Sequence, residues 1–133
     1  MERKNIKVEE VLKACPFIID DVVVFPFTTM RDTVCIWRYF HPIKFGKGII
    51  QPPKGFDDRY TIGVGVVLSA GPGYYTEKEK WIPVNENIIP GAVVEFDSSM
   101  LWTFPERVED IYGIFHKLPT CPSVNVFGVY PKE

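Results

Sequence analysis

A chain of 133 residues, 46% apolar and 24% charged, has room for one hydrophobic core and is short for two. Its 15 basic and 17 acidic residues are scattered, and the net charge of −2 leaves no electrostatic footprint for nucleic acid. No run approaches the roughly 20 apolar residues that span a bilayer.

Met1-Glu2-Arg3-Lys4 leads into a charged segment rather than an apolar signal core. Ile6 to Ala14 carries Val8, Val11 and Leu12 on one side, which predicts one or two helical turns ended by Pro16. Ile18-Ile19 and Val22-Val23-Val24-Phe25 bracket Asp20-Asp21 and read as a buried strand stopped at Pro26. Thr33 to Phe40 predicts a second strand, with Val34, Ile36 and Arg38 alternating against Cys35, Trp37 and Tyr39.

Pro42 to Tyr60 is rich in proline and glycine and reads as a long loop, a kind that inside a compact domain is functional or disordered. Tyr60 to Ala70 is the clearest strand, and Gly63 and Gly65 within it imply a bend, a bulge or a close backbone neighbour. Gly71-Pro72-Gly73 turns the chain. Short strands follow over Lys80 to Val84 and Ala92 to Phe96, joined through the turn dipeptide Pro90-Gly91. Ile111 to Leu118 and Val124 to Tyr130 are the final strand candidates. Six or seven short strands punctuated by turns predict an all-β barrel or sandwich in a single domain over residues 1–133.

Conventional chemistry is thinly represented. Cys15, Cys35 and Cys121 are odd in number and not closely paired, which argues against a disulfide framework and for a reducing, cytoplasmic setting. With His41 and His116 they show no spacing of a metal site or nucleophile motif, so no cofactor and no metal is expected. Gly63-Val64-Gly65 lacks the third glycine of a dinucleotide turn.

The segment Lys44 to Pro53 carries Ile49-Ile50 between Gly46-Lys47-Gly48 and Gln51-Pro52-Pro53. It reads either as a docking arm that offers two isoleucines to a partner groove or as a short edge strand packed on its own barrel. Burying each isoleucine yields about 1.5–3 kcal/mol, less the ordering of the arm, so arms work best when several engage together.

These stretches, in this order, resemble the GroES-type co-chaperonins, the lids of the chaperonin folding chamber. The family's opening strand, Leu-x-Asp-Arg-Val-Val-Val, is matched by Ile18-Ile19-Asp20-Asp21-Val22-Val23-Val24. Its mobile loop, Gly-Gly-Ile-Val-Leu, is matched by Gly46-Lys47-Gly48-Ile49-Ile50-Gln51. The strand Gly-x-Val-x-Ala-Val-Gly-Pro-Gly is matched by Gly65 to Gly73, the Val-Gly-Asp-x-Val-x-Phe strand by Pro90 to Phe96, and the ending Asp-Ile-Leu-Ala-Val by Asp110 to Ile114. Asp21 reverses the charge of the family's arginine, Gln51 is polar where the family's loop is apolar, and about fifteen extra residues rich in aromatics precede the loop.

The resemblance implies an irregular GroES-like β-barrel with a core over 16–115, a mobile loop over 41–60 and a C-terminal extension over 116–133. It implies a non-enzymatic homo-heptameric lid with heterologous ring contacts. Its partner would be a GroEL-type chaperonin bound through Gly48, Ile49, Ile50 and Gln51, with Phe45 and Ile43 compensating for the polar side chain. An unfolded client would occupy the chamber while the chaperonin hydrolyses ATP. Tyr74, Tyr75, Glu77 and Lys78 would form a hairpin roofing the dome, or else a plain exposed hairpin. The enlargement resembles bacteriophage-encoded members, which would act in the host cytoplasm, with a capsid protein as the client. A virion or capsid-associated protein that reuses the barrel without chaperonin binding is the alternative; a small β-barrel enzyme has no supporting constellation.

Overall fold

The computed structural model describes residues 7–39, 62–97 and 101–131. The protein is mostly β-structure with one short helix, α1 (Val8–Ala14). Val11 is fully buried while Val8 and Leu12 are half-buried against the same core, as the apolar spacing requires.

The centre is a six-stranded antiparallel sheet. Its strands are β3 (Thr33–Tyr39), β4 (Ile62–Ala70), β7 (Val93–Asp97), β8 (Trp102–Thr103), β11 (Pro119–Pro122) and β12 (Val126–Val129), in the spatial order β12-β7-β4-β3-β11-β8. Among the described residues this sheet keeps two open ends, β12 and β8, and does not close into the expected barrel. The cause lies in its borders: β8 has two residues, and β12 meets β7 across a register shift at Phe127. A strand that short and an edge that bulged offer no ladder for closure.

Both faces of the sheet are covered, which is why β3 and β4 read as near-continuous apolar runs. On one face Cys35, Val64, Val66, Leu68 and Val93 pack with Val11, Phe17, Val108 and Leu118. On the other, Val34, Ile36, Val67, Val94 and Phe96 pack with Ile88, Ala92 and Cys121. The predicted close neighbour of the β4 glycines is real: a β-carbon on Gly63 would meet the Phe96 ring at 2.8 Å. A register shift between Cys35 and Ile36 in the β3–β4 pairing adds an irregularity to the sheet.

Three two-stranded sheets flank the centre. The first corrects the expectation of one buried strand over Ile18 to Phe25. Residues Ile18–Ile19 (β1) and Val22–Val23 (β2) pair back on themselves, Ile19 opposite Val22, with Asp20 and Asp21 both at positive φ (50° and 64°). Two consecutive left-handed residues are the signature of a type I′ hairpin turn. Ile19, Val22 and Val24 are consequently exposed. The match to the family's opening strand thus falls on a reversal of the chain.

The second is a hairpin of β5 (Gly73–Tyr75) and β6 (Trp81–Pro83). The third pairs β9 (Val108–Glu109) with β10 (Phe115–His116). It corrects the strand expected over Ile111 to Leu118, because Asp110 to Ile114 is a turn held by the Asp110 side chain, leaving Ile111, Tyr112 and Ile114 exposed.

Residues 116–133, read from the sequence as an extension, supply two strands of the central sheet. Thr120 and Cys121 pair with Cys35 and Val34, and Val129 pairs with Val94. A 3-10 turn over Ser123–Asn125 connects them.

Candidate functional site

Two segments that the sequence singles out attach to opposite ends of β4. Residues 40–61 join the end of β3 to the start of β4, its antiparallel neighbour. The arm residues Ile43, Phe45, Gly48, Ile49, Ile50 and Gln51, with His41, lie in that stretch, outside the described residues. The β5–β6 hairpin leaves the other end, just past Ala70. Nine residues of strand separate the two attachment points, roughly 26 Å at about 3.3 Å per residue.

The hairpin is anchored at its base by backbone geometry. Gly73 has φ +140°, and a β-carbon there would fall 2.4 Å from the carbonyl oxygen of Ile82. Its amide donates to the Arg31 carbonyl at 2.9 Å, and the Val84 amide donates to that of Pro72 at 3.2 Å. At the tip, Thr76 organises the turn. Its Oγ1 accepts from the Lys80 amide at 3.1 Å, and its carbonyl accepts from the Glu79 amide at 2.9 Å.

The four predicted hairpin residues separate by face. Tyr75 is 67% exposed and packs on Trp81 with ring centroids 4.9 Å apart. Tyr74 is half-buried opposite Ile82 and lines a groove shared with Ile88, Val126 and Phe127. Glu77 and Lys78 are exposed at the tip. The hairpin therefore shows an aromatic pair and a mixed-charge tip to its surroundings, while Tyr74 ties it to the sheet.

One polar constellation escaped the sequence reading. Asp110, its side chain 2% exposed, sets Oδ2 2.6 Å from His116 Nε2, and its Oδ1 accepts from the amides of Tyr112 at 2.8 Å and Ile114 at 3.0 Å. Burial pushes the carboxyl pKa up, but the His116 hydrogen bond and the two amides outweigh it and hold Asp110 below the usual carboxylate range. An ionised Oδ2 can only accept, so His116 Nε2 is the donor in this contact. The signal was available: Asp-Ile-Tyr-Gly, with Asp first and Gly fourth, is a type I turn sequence.

The three cysteines are buried and unpaired. Desolvation raises the Cys15 and Cys121 thiols to about 11 and that of Cys35 to about 12, which suits packing and not nucleophilic work. Among the described residues no group of three His, Cys, Asp or Glu is placed to hold a metal ion. No described helix is long and apolar enough to cross a membrane.

No protein-family model and no curated protein matches the chain.

Proposed function

We propose that the chain is a co-chaperonin, a non-enzymatic lid that docks on a GroEL-type chaperonin and closes its chamber during ATP-dependent folding. The observation that carries this reading is the attachment of residues 40–61 and of the β5–β6 hairpin at opposite ends of β4. A lid must reach its partner from one end of each subunit and roof a chamber from the other. The order strand, Gly-Pro-Gly, hairpin, Pro-Gly, strand is the order the resemblance requires, and β4 and β7 lie side by side as that order demands.

Within this reading the open sheet is a remodelled GroES-like barrel. Its ends, β12 and β8, are different edges, which is what a heterologous, closed heptameric ring uses. Each arm would place Ile49 and Ile50 in an apolar cleft of the chaperonin, and the ring would multiply a weak contact. The partner supplies the ATP hydrolysis. An unfolded client, such as a capsid protein where the chain is phage-encoded, fills the chamber in the host cytoplasm.

A second reading, a virion-associated structural protein, is favoured by one observation. The reversal at Asp20-Asp21 breaks the segment that resembles the family's first strand.

Native mass measurement of the full chain alone, and with chaperonin and ATP, separates the two. The lid reading expects a ring near seven-fold mass, a stable complex and a slowed chaperonin ATPase. A chain that ignores chaperonin and copurifies with virions overturns it.

A further inference from the structure

A groove of about 440 Å³ lies between helix α1, the β1–β2 turn and the Pro90-Gly91 turn. Its floor is apolar. Val8 and Leu12 stand one helical turn apart on α1, and Ile18 of β1 and Pro90 complete the surface. Val8, Leu12 and Ile18 are half-buried against the core, so the floor is held in place while part of it faces outward. The Pro90-Gly91 wall is fixed as well, because the Gly91 amide donates to the Val67 carbonyl of β4 at 2.8 Å.

Two carboxylates border this floor. Glu9, beside Val8 in the first turn of α1, and Asp21, in the β1–β2 turn, both line the groove and both are exposed. Among the described residues no side-chain hydrogen bond or ion pair engages either of them. The type I′ geometry favours Asn-Gly, so backbone preference does not account for an aspartate at φ 64°. The groove therefore combines a fixed apolar surface with two negative charges that the fold itself leaves unused.

We propose that this groove docks a basic amphipathic segment of a partner protein. Its apolar side chains lie on Val8, Leu12, Ile18 and Pro90, and its lysines or arginines sit beside Glu9 and Asp21. Charge complementarity selects this occupant. An acidic segment would be repelled by both carboxylates, and a wholly apolar one would desolvate them without supplying a counter-charge. The exposed ion pairs contribute little each and orient the segment, while apolar burial supplies most of the affinity. The inference does not depend on the lid reading, since it uses none of the arm or roof-hairpin residues.

The test is a fluorescence-anisotropy titration of the full chain into a labelled peptide, acetyl-Lys-Leu-Ala-Lys-Leu-Ala-Lys-amide. Saturable binding is expected, weaker by about tenfold or more for counterparts with glutamate in place of lysine or serine in place of leucine. Glu9→Gln and Asp21→Asn alter exposed side chains. Each is expected to weaken binding about two- to fivefold, the range of an exposed ion pair, without a lower unfolding midpoint. Glu106→Gln, at an exposed carboxylate outside the groove, is expected to leave binding unchanged. Absence of saturation overturns the proposal, as do equal binding of the acidic counterpart and groove variants that bind like the parent chain. So does binding that emerges only after Arg3→Gln with Lys4→Gln, which would make the chain's own residues 1–6 the occupant. Self-association that Glu9→Gln abolishes would make it a second copy and overturn the proposal equally.

Discussion

Gly65 presses its bare α-carbon against the backbone of Trp37: a β-carbon there would lie 2.4 Å from the Trp37 carbonyl oxygen and 2.5 Å from Ile36 Cγ2. Neither obstacle is the free end of a flexible chain. Gly65→Ala is expected to destabilise the protein by about 1–3 kcal/mol, the range for overpacked cores. Guanidinium unfolding checks this, and an unchanged midpoint would show that β3 and β4 are not packed this closely.

The Asp20-Asp21 turn invites the opposite change. Both residues hold positive φ, a conformation that costs L-residues about 1–2 kcal/mol and that Asn-Gly adopts readily. Asp20→Asn with Asp21→Gly is expected to raise stability by on the order of 1 kcal/mol. A lowered melting temperature would argue for a continuous strand here.

Asp110 sets an acid limit. Its folded pKa is depressed, so its contribution is fully present above the unfolded value of about 4 and is lost as pH falls through the lower folded value. Asp110→Asn should lower stability at neutral pH and flatten the loss of stability below about pH 4. Parallel stability curves for the two proteins across that range would remove Asp110 from the balance.

The thiols should be silent in the folded protein. With pKa values of about 11 to 12 and no exposed sulfur, Cys15, Cys35 and Cys121 carry little thiolate near neutral pH. A disulfide reagent such as Ellman's is expected to titrate all three cysteines in guanidinium and to react only slowly without it. Rapid labelling of the native chain would contradict this packing.

Ile49→Ser with Ile50→Ser tests the arm. Each side chain contributes about 1.5–3 kcal/mol when buried in a cleft, and a ring repeats the loss in every arm. Chaperonin binding and ATPase slowing should disappear while the ring mass persists. A double variant that still binds chaperonin normally would mean that other residues make the contact.

The sequence was most readable where one signal stood alone. Helix α1, strands β3 and β4, and the turns at Gly73 and Gly91 follow from apolar spacing and from positions that require glycine. It misled where two signals competed. Val22-Val23-Val24 has strong strand propensity, but two adjacent aspartates at positive φ reversed the chain before it. Pro119-Thr-Cys-Pro122 carries two prolines and fell between the predicted strands, yet it pairs on both sides. Prolines at the ends of a strand that short cost few ladder bonds. The Asp110–His116 contact joins residues six apart through a turn that spacing alone does not reveal. The hairpin residues were legible from their position after Gly-Pro-Gly, whereas the face each presents depended on packing against Ile82 and Trp81.

Strand β11 lies between β3 and β8, so among the described residues β3 gains its second neighbour only from residues 119–122. The paired residues, from Thr120 with Cys35 to Pro122 with Thr33, lie 85 to 89 positions apart, and contacts that distant form slowly. While the protein is being translated, β3 is therefore left with an unsatisfied border after β4 and β7 have emerged from the ribosome. That interval is when the nascent molecule is most open to mispairing with another chain.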